Sequence, residues 1–341
     1  MMLQRRLIIL GFLVIIALIS IGIGLSVGTV SIPLSSILGV LFSKIPYIRK
    51  FVRIDVPDKY FMIIFNLRLP RVLLSILVGS GLAAAGACMQ GLFRNPMASP
   101  YVVGVSSGSS FGAAVAMLIF PGIFSVPVVA FIFGVITTFL VYRISFKRGK
   151  IATETLLLAG IAVGFFFSAI TSLLMYTTAS GVHRLVFWIM GGFWNSSWAR
   201  LLTVIPFVGF GIPAIYCFAR DLNIMQLGEE SAIHLGVEVE QVKKILLIFT
   251  SLITASCVSV SGVIGFVGLI IPHITRLLVG PDHRMLIPIS TLIGGIFLLW
   301  CDTLARTIIA PVELPVGIIT ACFGAPFFIY LLTKSKRESY A

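Results

Sequence analysis

The sequence predicts an all-α polytopic membrane protein with about ten transmembrane helices, arranged as a single domain over residues 1–341. Composition is the first reason: 58% of the residues are hydrophobic, 11% are charged, and the mean hydropathy is +1.10. One soluble core cannot bury that much apolar surface. The second reason is an uncharged run of 22 residues from Val72 to Phe93, long enough to cross a hydrocarbon core of about 30 Å as a helix.

The net charge of +13 comes from short basic clusters between apolar runs, as is typical of membrane proteins, so nucleic acid is not an expected partner. The cysteines stand singly in apolar segments, which predicts small core residues. They are Cys88, Cys217, Cys257, Cys301 and Cys322.

Charge clusters and Pro or Gly breaks divide the apolar runs into ten predicted spans. The first follows Arg5 and Arg6 and is too long for a typical secretory leader, so we expect a retained membrane helix. Pro121 and Gly122 predict the turn of a helical hairpin between the third and fourth spans. The predicted spans are 7–28, 70–93, 100–119, 124–143, 154–177, 200–219, 243–262, 265–280, 285–308 and 315–333.

An even number of spans places both termini on one side of the membrane. With the N-terminus inside, 15 of the 25 Lys and Arg residues are cytoplasmic, as the positive-inside rule favours. We therefore expect a multi-pass protein of the plasma (inner) membrane with cytoplasmic N- and C-termini. The first external loop covers residues 29–66, and Arg143–Lys150 forms a basic cytoplasmic hairpin.

A longer cytoplasmic segment, residues 220–242, carries charges of both signs and two Leu-Gly pairs. It is predicted to form short helices with one apolar side, which suits docking into another protein. A capped connector between spans is the alternative. The apolar side consists of Ile224, Leu227, Ile233 and Leu235.

Glycines and a few charges stand out inside the spans. The glycines near Gly79–Gly86 and at Gly160 predict closely packed helices. Asp302 and Arg306 are four residues apart, which permits an ion pair near the outer end of a helix. Glu313 is placed to cap the start of the last span. An aromatic cluster between residues 187 and 198 is typical of an interfacial belt.

The sequence contains no H-E-x-x-H, G-x-S-x-G or Walker A motif, so it is not expected to be an enzyme or to hydrolyse ATP alone. No metal or cofactor is expected on this chain. His273 and His283 are isolated and predict hydrogen-bonded residues at helix breaks. The alternative classes are an ion-coupled secondary transporter, although coupled acids through the membrane are missing, and a membrane enzyme.

Eight ordered motifs from about Leu67 to Leu332 resemble the permease subunits of type II ABC importers, a family that takes up iron-siderophore complexes, haem and cobalamin. The motifs are Arg68-Leu-Pro-Arg71, Gly91-Leu-Phe-Arg-Asn-Pro96, Leu156-Leu-Leu-Ala-Gly160, Trp188-Ile-Met-Gly-Gly192, Leu227 to Gly236, Gly265 to His273, Asp282-His-Arg284, and Glu313-Leu-Pro-Val-Gly317 with Gly324-Ala-Pro-Phe327.

The resemblance implies a homodimer in the lipid bilayer, two cytoplasmic ATPase subunits that bind ATP and Mg²⁺, and an external substrate-binding protein. It also implies that Arg68, Arg71 and Arg306 face outward and meet glutamates of that binding protein. Exposed charges of this kind chiefly raise the encounter rate and fix orientation.

By the same resemblance, part of the 220–242 segment forms coupling helices that sit in a cleft of the ATPase. The implied coupling residues are Leu227, Gly228, Glu229, Glu230, Ala232, Leu235 and Gly236. The implied inner gate consists of Asn95, Pro96, Met97, Thr153 and Glu154. Glu154 departs from the Ser or Thr expected at a gate.

The implied mechanism is alternating access driven by ATP hydrolysis on the partner. An iron(III)-siderophore complex is the expected cargo on family frequency, with cobalamin, haem and molybdate or tungstate as alternatives.

Overall fold

The computed structural model describes residues 2–28, 30, 32–43, 57–147, 149–178 and 180–339. Residues 44–56 of the predicted external loop, and Arg148 of the predicted basic hairpin, lie outside the described residues. In the described part, α-helices dominate and two short strands pair as a hairpin. This confirms the predicted all-α class.

The longer helices follow the predicted spans in order. They are α1 (Met2–Ser26), α4 (Leu69–Leu92), α5 (Val105–Ala114), α6 (Val126–Ser145), α7 (Thr153–Thr177), α9 (Trp198–Cys217), α12 (Val239–Ser261), α13 (Val267–Val279), α14 (His283–Ala305) and α15 (Val316–Ser339). The shorter ones are α2 (Leu34–Ser43), α3 (Asp58–Met62), α8 (Val182–Met190), α10 (Ala219–Met225) and α11 (Glu229–His234).

Seven of the described helices are long and apolar enough to cross a membrane. Three other apolar helices, Val105–Ile119, Val267–Val279 and Val316–Tyr330, are shorter than the usual span. Helices therefore occupy all ten predicted positions, but ten complete crossings remain a prediction.

The predicted external loop is partly helical. It contains α2 and α3, and a π-helical turn, Ile63–Arg68, joins α3 to α4. The result is a continuous helix of 35 residues, Asp58–Leu92. The helix therefore begins about three turns before residue 70, the predicted start of the second span, and the arginines at residues 68 and 71 lie inside this helix and not at its beginning.

Two predicted turns are present. Pro121 and Gly122 lie between α5, extended by the π-helical turn Val115–Ile119, and α6, and Gly122 has a φ of +79°. The basic hairpin contains β1 (Phe146–Lys147) and β2 (Lys150–Ile151) in antiparallel register, with Gly149 at a φ of +79°. Positive φ costs glycine little, which is why it occupies both turns.

Helix α4 lies at the centre and packs against α1, α9, α12, α13 and α14. A Cβ at Gly79 would overlap the carbonyl of Gly294 in α14, and one at Gly86 would overlap the carbonyl of Gly268 in α13. The predicted close packing through glycines is confirmed. Of the cysteines, Cys88, Cys257 and Cys301 are buried as predicted. The prediction was wrong for Cys217 and Cys322, which are exposed.

Candidate functional site

Three arginines and two acids meet at the end of the bundle where α1 and α14 finish and α4 begins. This group, the arginine cluster, comprises Arg68, Arg71, Asp302, Arg306 and Glu313. Arg71 donates through Nε and Nη2 to Asp302 at 2.8–3.0 Å, and through Nη1 to both oxygens of Glu313 at 2.9 and 3.0 Å. Asp302 is fully buried, so these charge-assisted hydrogen bonds compensate a charge that has no access to water.

Backbone carbonyls hold the other two arginines. Arg68 donates to three carbonyls at the end of α1 and just beyond it, two of them at 2.6 and 2.9 Å. Arg306 donates to a carbonyl in the last turn of α1, and its Nε lies 3.8 Å from Asp302. The predicted ion pair of Asp302 and Arg306 is therefore present, although Arg71 is the closer partner. The accepting carbonyls belong to Gly24, Leu25, Ser26 and Val30.

The expectation that these arginines are freely exposed was wrong. Arg68, Arg71 and Arg306 are only 6%, 9% and 5% exposed, because each guanidinium has partners inside the chain. Their role in docking stays a prediction. The expected cap by Glu313 was also wrong: its carboxylate is used by Arg71, and α15 begins with Val316 donating to the carbonyl of Gly191.

Two cavities open beside the arginine cluster, and Glu313 lines both. The smaller, of about 370 Å³, has the three arginines in its wall. The larger, of about 680 Å³, lies against α8, and its lining includes several aromatic and basic side chains. Much of the aromatic cluster predicted as an interfacial belt therefore faces this cavity. Its aromatic and basic lining consists of His183, Arg184, Phe187, Trp188, Trp194 and Arg200.

The 220–242 segment lies at the opposite end of α4. It contains α10 and α11, which confirms the predicted short helices. Gly228 precedes α11 with a φ of +114°, and Gly236 follows it with a φ of +83°. Both values favour glycine, so these residues permit the two sharp turns that bound the helix.

The apolar side predicted for this segment is largely uncovered. Leu227, Ile233 and Leu235 are 68%, 57% and 59% exposed. Ile224 is half-buried, and Ala232, which was predicted as a contact residue, is fully buried in the core. Ala232 therefore anchors α11 to the bundle, while the leucines and the isoleucine of this face remain available to a partner.

Polar side chains attach α10 to the bundle. Gln226, just after α10, donates to the carbonyl of Gly91 in α4 at 2.9 Å. Asn223 donates to Asp282 at 2.7 Å and accepts from the backbone N–H of His283 at 2.8 Å. His283 is fully buried, and its Nδ1 also lies 2.8 Å from the Asn223 carboxamide oxygen, as expected for a hydrogen-bonded histidine at a helix break.

The predicted gate residues lie at this same end. Asn95 is exposed, and its side chain accepts from the backbone N–H of Met97 at 2.8 Å, which fixes the turn that holds Pro96. Arg94 has a φ of +49°, and a methyl group at Gly228 would lie 3.8 Å from its Nη1. The turn therefore lies beside the start of α11.

Thr153 and Glu154 form the first turn of α7, where Thr153 is half-buried and Glu154 is exposed. A methyl group at Gly160, two turns further along, would overlap the carbonyl of Val102 in the short helix Pro100–Val103 that follows the Asn95 turn. The two parts of the predicted gate are thus linked, because α7 packs against the short helix that follows the Asn95 turn. Whether Glu154 faces a transport path stays a prediction.

Sequence reasoning missed several of these contacts. The sequence near Arg71 does not indicate that Glu313 is its partner, because 242 residues separate the two. Lys243, the first residue of the predicted seventh span, is 3% exposed and pairs with Glu229 and Glu240. The Glu240–Lys243 spacing of three residues was a usable signal. In the described part of the chain, no three His, Cys, Asp or Glu side chains are grouped to hold a metal ion.

We expect Asp302→Asn to lower the free energy of unfolding by about 3 kcal/mol, because it leaves Arg71 and Arg306 near a neutral buried group. Denaturant titration of the purified protein in detergent measures this. Glu238→Gln, which removes an exposed carboxylate, is the control and should change the value by less than about 0.5 kcal/mol. Equal stability of the two variants would contradict the compensating role of Asp302.

Comparison with known proteins places this arrangement in a family. The model of the FecCD transport family matches residues 13–334. The cobalamin import system permease protein BtuC of Halobacterium salinarum is 46% identical over 283 residues, 82% of this chain and 76% of that protein. The iron(3+)-hydroxamate import system permease protein FhuG of Bacillus subtilis is 38% identical over 287 residues, 81% of this chain and 84% of that protein.

The fold is also similar to that of a solved metal-chelate type ABC transporter in an inward-facing conformation. The two chains are 34% identical and superpose with a TM-score of 0.84 over 96% of this chain and 99% of the other. This confirms the predicted permease fold. With a family match over most of its length and relatives that are importer permeases, the chain belongs to the FecCD transport family of ABC importer permeases.

Proposed function

We propose that two copies of this chain form the membrane path of an importer that carries a metal chelate into the cytoplasm. Two ATPase subunits bind ATP and Mg²⁺ at the cytoplasmic side, and a binding protein delivers the chelate from outside. The arginine cluster faces outward, and both termini are cytoplasmic in the plasma membrane. ATP hydrolysis on the partners drives alternating access.

One observation carries this proposal: the uncovered apolar face of the 220–242 segment. Ile233 lies in α11, and Leu227 and Leu235 lie just beyond the ends of α10 and α11, which are attached to α4, α12 and α14. Exposed apolar residues on an otherwise polar segment are typical of a helix that docks into a groove. The ATPase supplies that groove in our proposal, so we call residues 220–242 the coupling segment.

The arginine cluster supports a docking role for the other end. Its three arginines and two acids carry a net positive charge, and the three guanidiniums line the wall of a cavity. A carboxylate of the binding protein that reaches this cavity meets a guanidinium whose position is already fixed. Docking in our proposal therefore requires the incoming acid to share Arg71 with Glu313.

A homodimer would cover apolar surface that a single chain leaves exposed. On α7, Phe165 and Tyr176 are 74% and 89% exposed. In our proposal part of this surface meets the second copy and the rest meets lipid. The gate formed by Asn95–Met97 and Thr153–Glu154 then closes the cytoplasmic end of the path between the copies.

The cargo class we propose is a metal chelate, with an iron(III)-siderophore complex as the first candidate. The iron-hydroxamate permease among the relatives and the structural similarity to a metal-chelate transporter support it. Cobalamin is the second candidate, supported by 46% identity to a cobalamin permease. Haem and molybdate or tungstate are further alternatives within the same role, and ion-coupled transport is the alternative class.

We expect proteoliposomes with the permease, its ATPase and its binding protein to accumulate the chelate only when ATP is on the side of the coupling segment and cargo is on the side of the arginine cluster. Filter uptake of iron-55 siderophore, labelled cobalamin and labelled molybdate in parallel identifies the cargo. Uptake that survives without ATP but disappears with the ion gradient would contradict the proposal.

We expect Glu313→Gln to tighten docking of the binding protein a few-fold at low salt, because Arg71 loses one internal carboxylate and attracts an external one more strongly. The difference should shrink at high salt, since screening weakens exposed charge interactions. Surface plasmon resonance with the permease in nanodiscs measures both effects. Glu238→Gln at the opposite end is the control. Weaker docking of Glu313→Gln would show that Glu313 itself serves the interface.

A further inference from the structure

A buried lysine joins three separate elements at the coupling end. Lys243 lies in the second turn of α12, with its side chain only 3% exposed. Its Nζ donates to Glu229 of α11 at 2.7 Å, to Glu240 of α12 at 3.3 Å, and to the carbonyl of Ile151 in β2 at 3.4 Å. An ammonium group has three N–H donors, so these three acceptors satisfy it completely.

Glu240 closes the network on β2. One of its oxygens accepts from Lys243, and the other accepts from the backbone N–H of Ile151 at 2.7 Å. Both backbone groups of Ile151 are therefore bound to side chains of α12, and its own side chain is buried. Ile151 is two residues from the start of α7. The positions of β2 and of the first turn of α7 are therefore fixed relative to α12.

Helix α11 depends on the same lysine. With six residues it is far too short to be stable alone, so its position is set by tertiary contacts. Ala232 supplies the apolar contact, and Glu229, the first residue of the helix, supplies the ion pair with Lys243. Glu229 and Glu240 are partly exposed, so both carboxylates can bind water when the lysine side chain is removed.

We propose that Lys243 is a positioning residue that transmits movement of α11 to the start of α7. The inference rests on the proposed function, in which the ATPases displace the coupling segment. Displacement of Glu229 moves Lys243, and the bonds of Lys243 and Glu240 to Ile151 carry β2 along. Thr153 and Glu154 then move with the coupling segment as one unit, which opens or closes the predicted gate.

The test measures ATP hydrolysis and chelate uptake in the same reconstituted complex. We expect Lys243→Met to lower the number of chelates imported per ATP about fivefold, within the range found for residues that carry coupling between distant sites. Lys244→Met is the matched control, since the neighbouring lysine is exposed and points about 100° away from Lys243 around the helix. It should keep the wild-type ratio.

A second variant covers the case in which Lys243→Met does not fold. Glu229→Gln alters only the partly exposed partner and should lower the ratio less. If both single variants fold, the double variant should behave like Lys243→Met alone, because the two residues act through one ion pair. The proposal would be overturned if Lys243→Met and Glu229→Gln both kept the wild-type ratio of chelates imported per ATP. If Lys243→Met does not fold, a wild-type ratio in Glu229→Gln alone would overturn it.

A distance measurement separates transmission from mere stabilisation. Spin labels at two exposed positions, Ala152 next to β2 and Ser231 in α11, report the separation of β2 and α11 by pulsed electron paramagnetic resonance. We expect nucleotide to leave this distance unchanged in the wild type and to change it in Glu229→Gln. A nucleotide-dependent distance in the wild type would refute the single-unit movement. Absence of any ATP-dependent uptake by the wild type would instead refute the proposed function, and the inference with it.

Discussion

The close approach of α4 to α13 and α14 is the constraint on which the rest of the structure depends. Inside a bilayer, water does not drive helices together, so association relies on van der Waals contact and hydrogen bonds. Glycines at positions 79 and 86 let the backbone of α4 touch the backbones of its neighbours. Ser80 and Gln90 then donate to carbonyls of α14 and α13, each at 2.9 Å. Backbone contact and polar contact thus act at the same interfaces.

The position of α4 fixes both functional ends. At one end it holds Arg71 where Asp302 of α14 and Glu313 can reach it, and at the other it offers the carbonyl of Gly91 to Gln226. Along α4, Arg71 and Gly91 are about 30 Å apart, roughly the thickness of the hydrocarbon core of a membrane. The arginine cluster and the coupling segment therefore contact opposite ends of the same helix.

Periodicity and composition predicted most of this fold, because a membrane span needs a long uncharged run that is visible in the sequence. The turns at Gly122 and Gly149, the short helices beside Gly228, and the exposed faces of Leu227 and Ile233 were predictable for similar local reasons. The partners of the charges were not. Nothing near Arg71 indicates that it meets Glu313, and Lys243 resembles an ordinary basic flank until α11 folds back against it.

The prediction for the three arginines was limited in the same way, because it gave the residues but not their partners. The family resemblance implies a docking role at the outer face for Arg68, Arg71 and Arg306, but it gives no information about the carbonyls and acids that bury them in this chain. Burial of this kind follows from how α1 ends beside α4, which is tertiary information. The coupling segment was easier to interpret because its chemistry, apolar residues on a polar loop, is local.

The most direct test of the central constraint is the thermal unfolding midpoint of Gly86→Ala in detergent, compared with that of Gly11→Ala. A methyl group at Gly86 would overlap the Gly268 carbonyl, whereas Gly11 in α1 has open space at that position. The account predicts a lower midpoint for Gly86→Ala, from overpacking on the order of 1–3 kcal/mol, and no loss for Gly11→Ala. Equal midpoints for the two variants would contradict it.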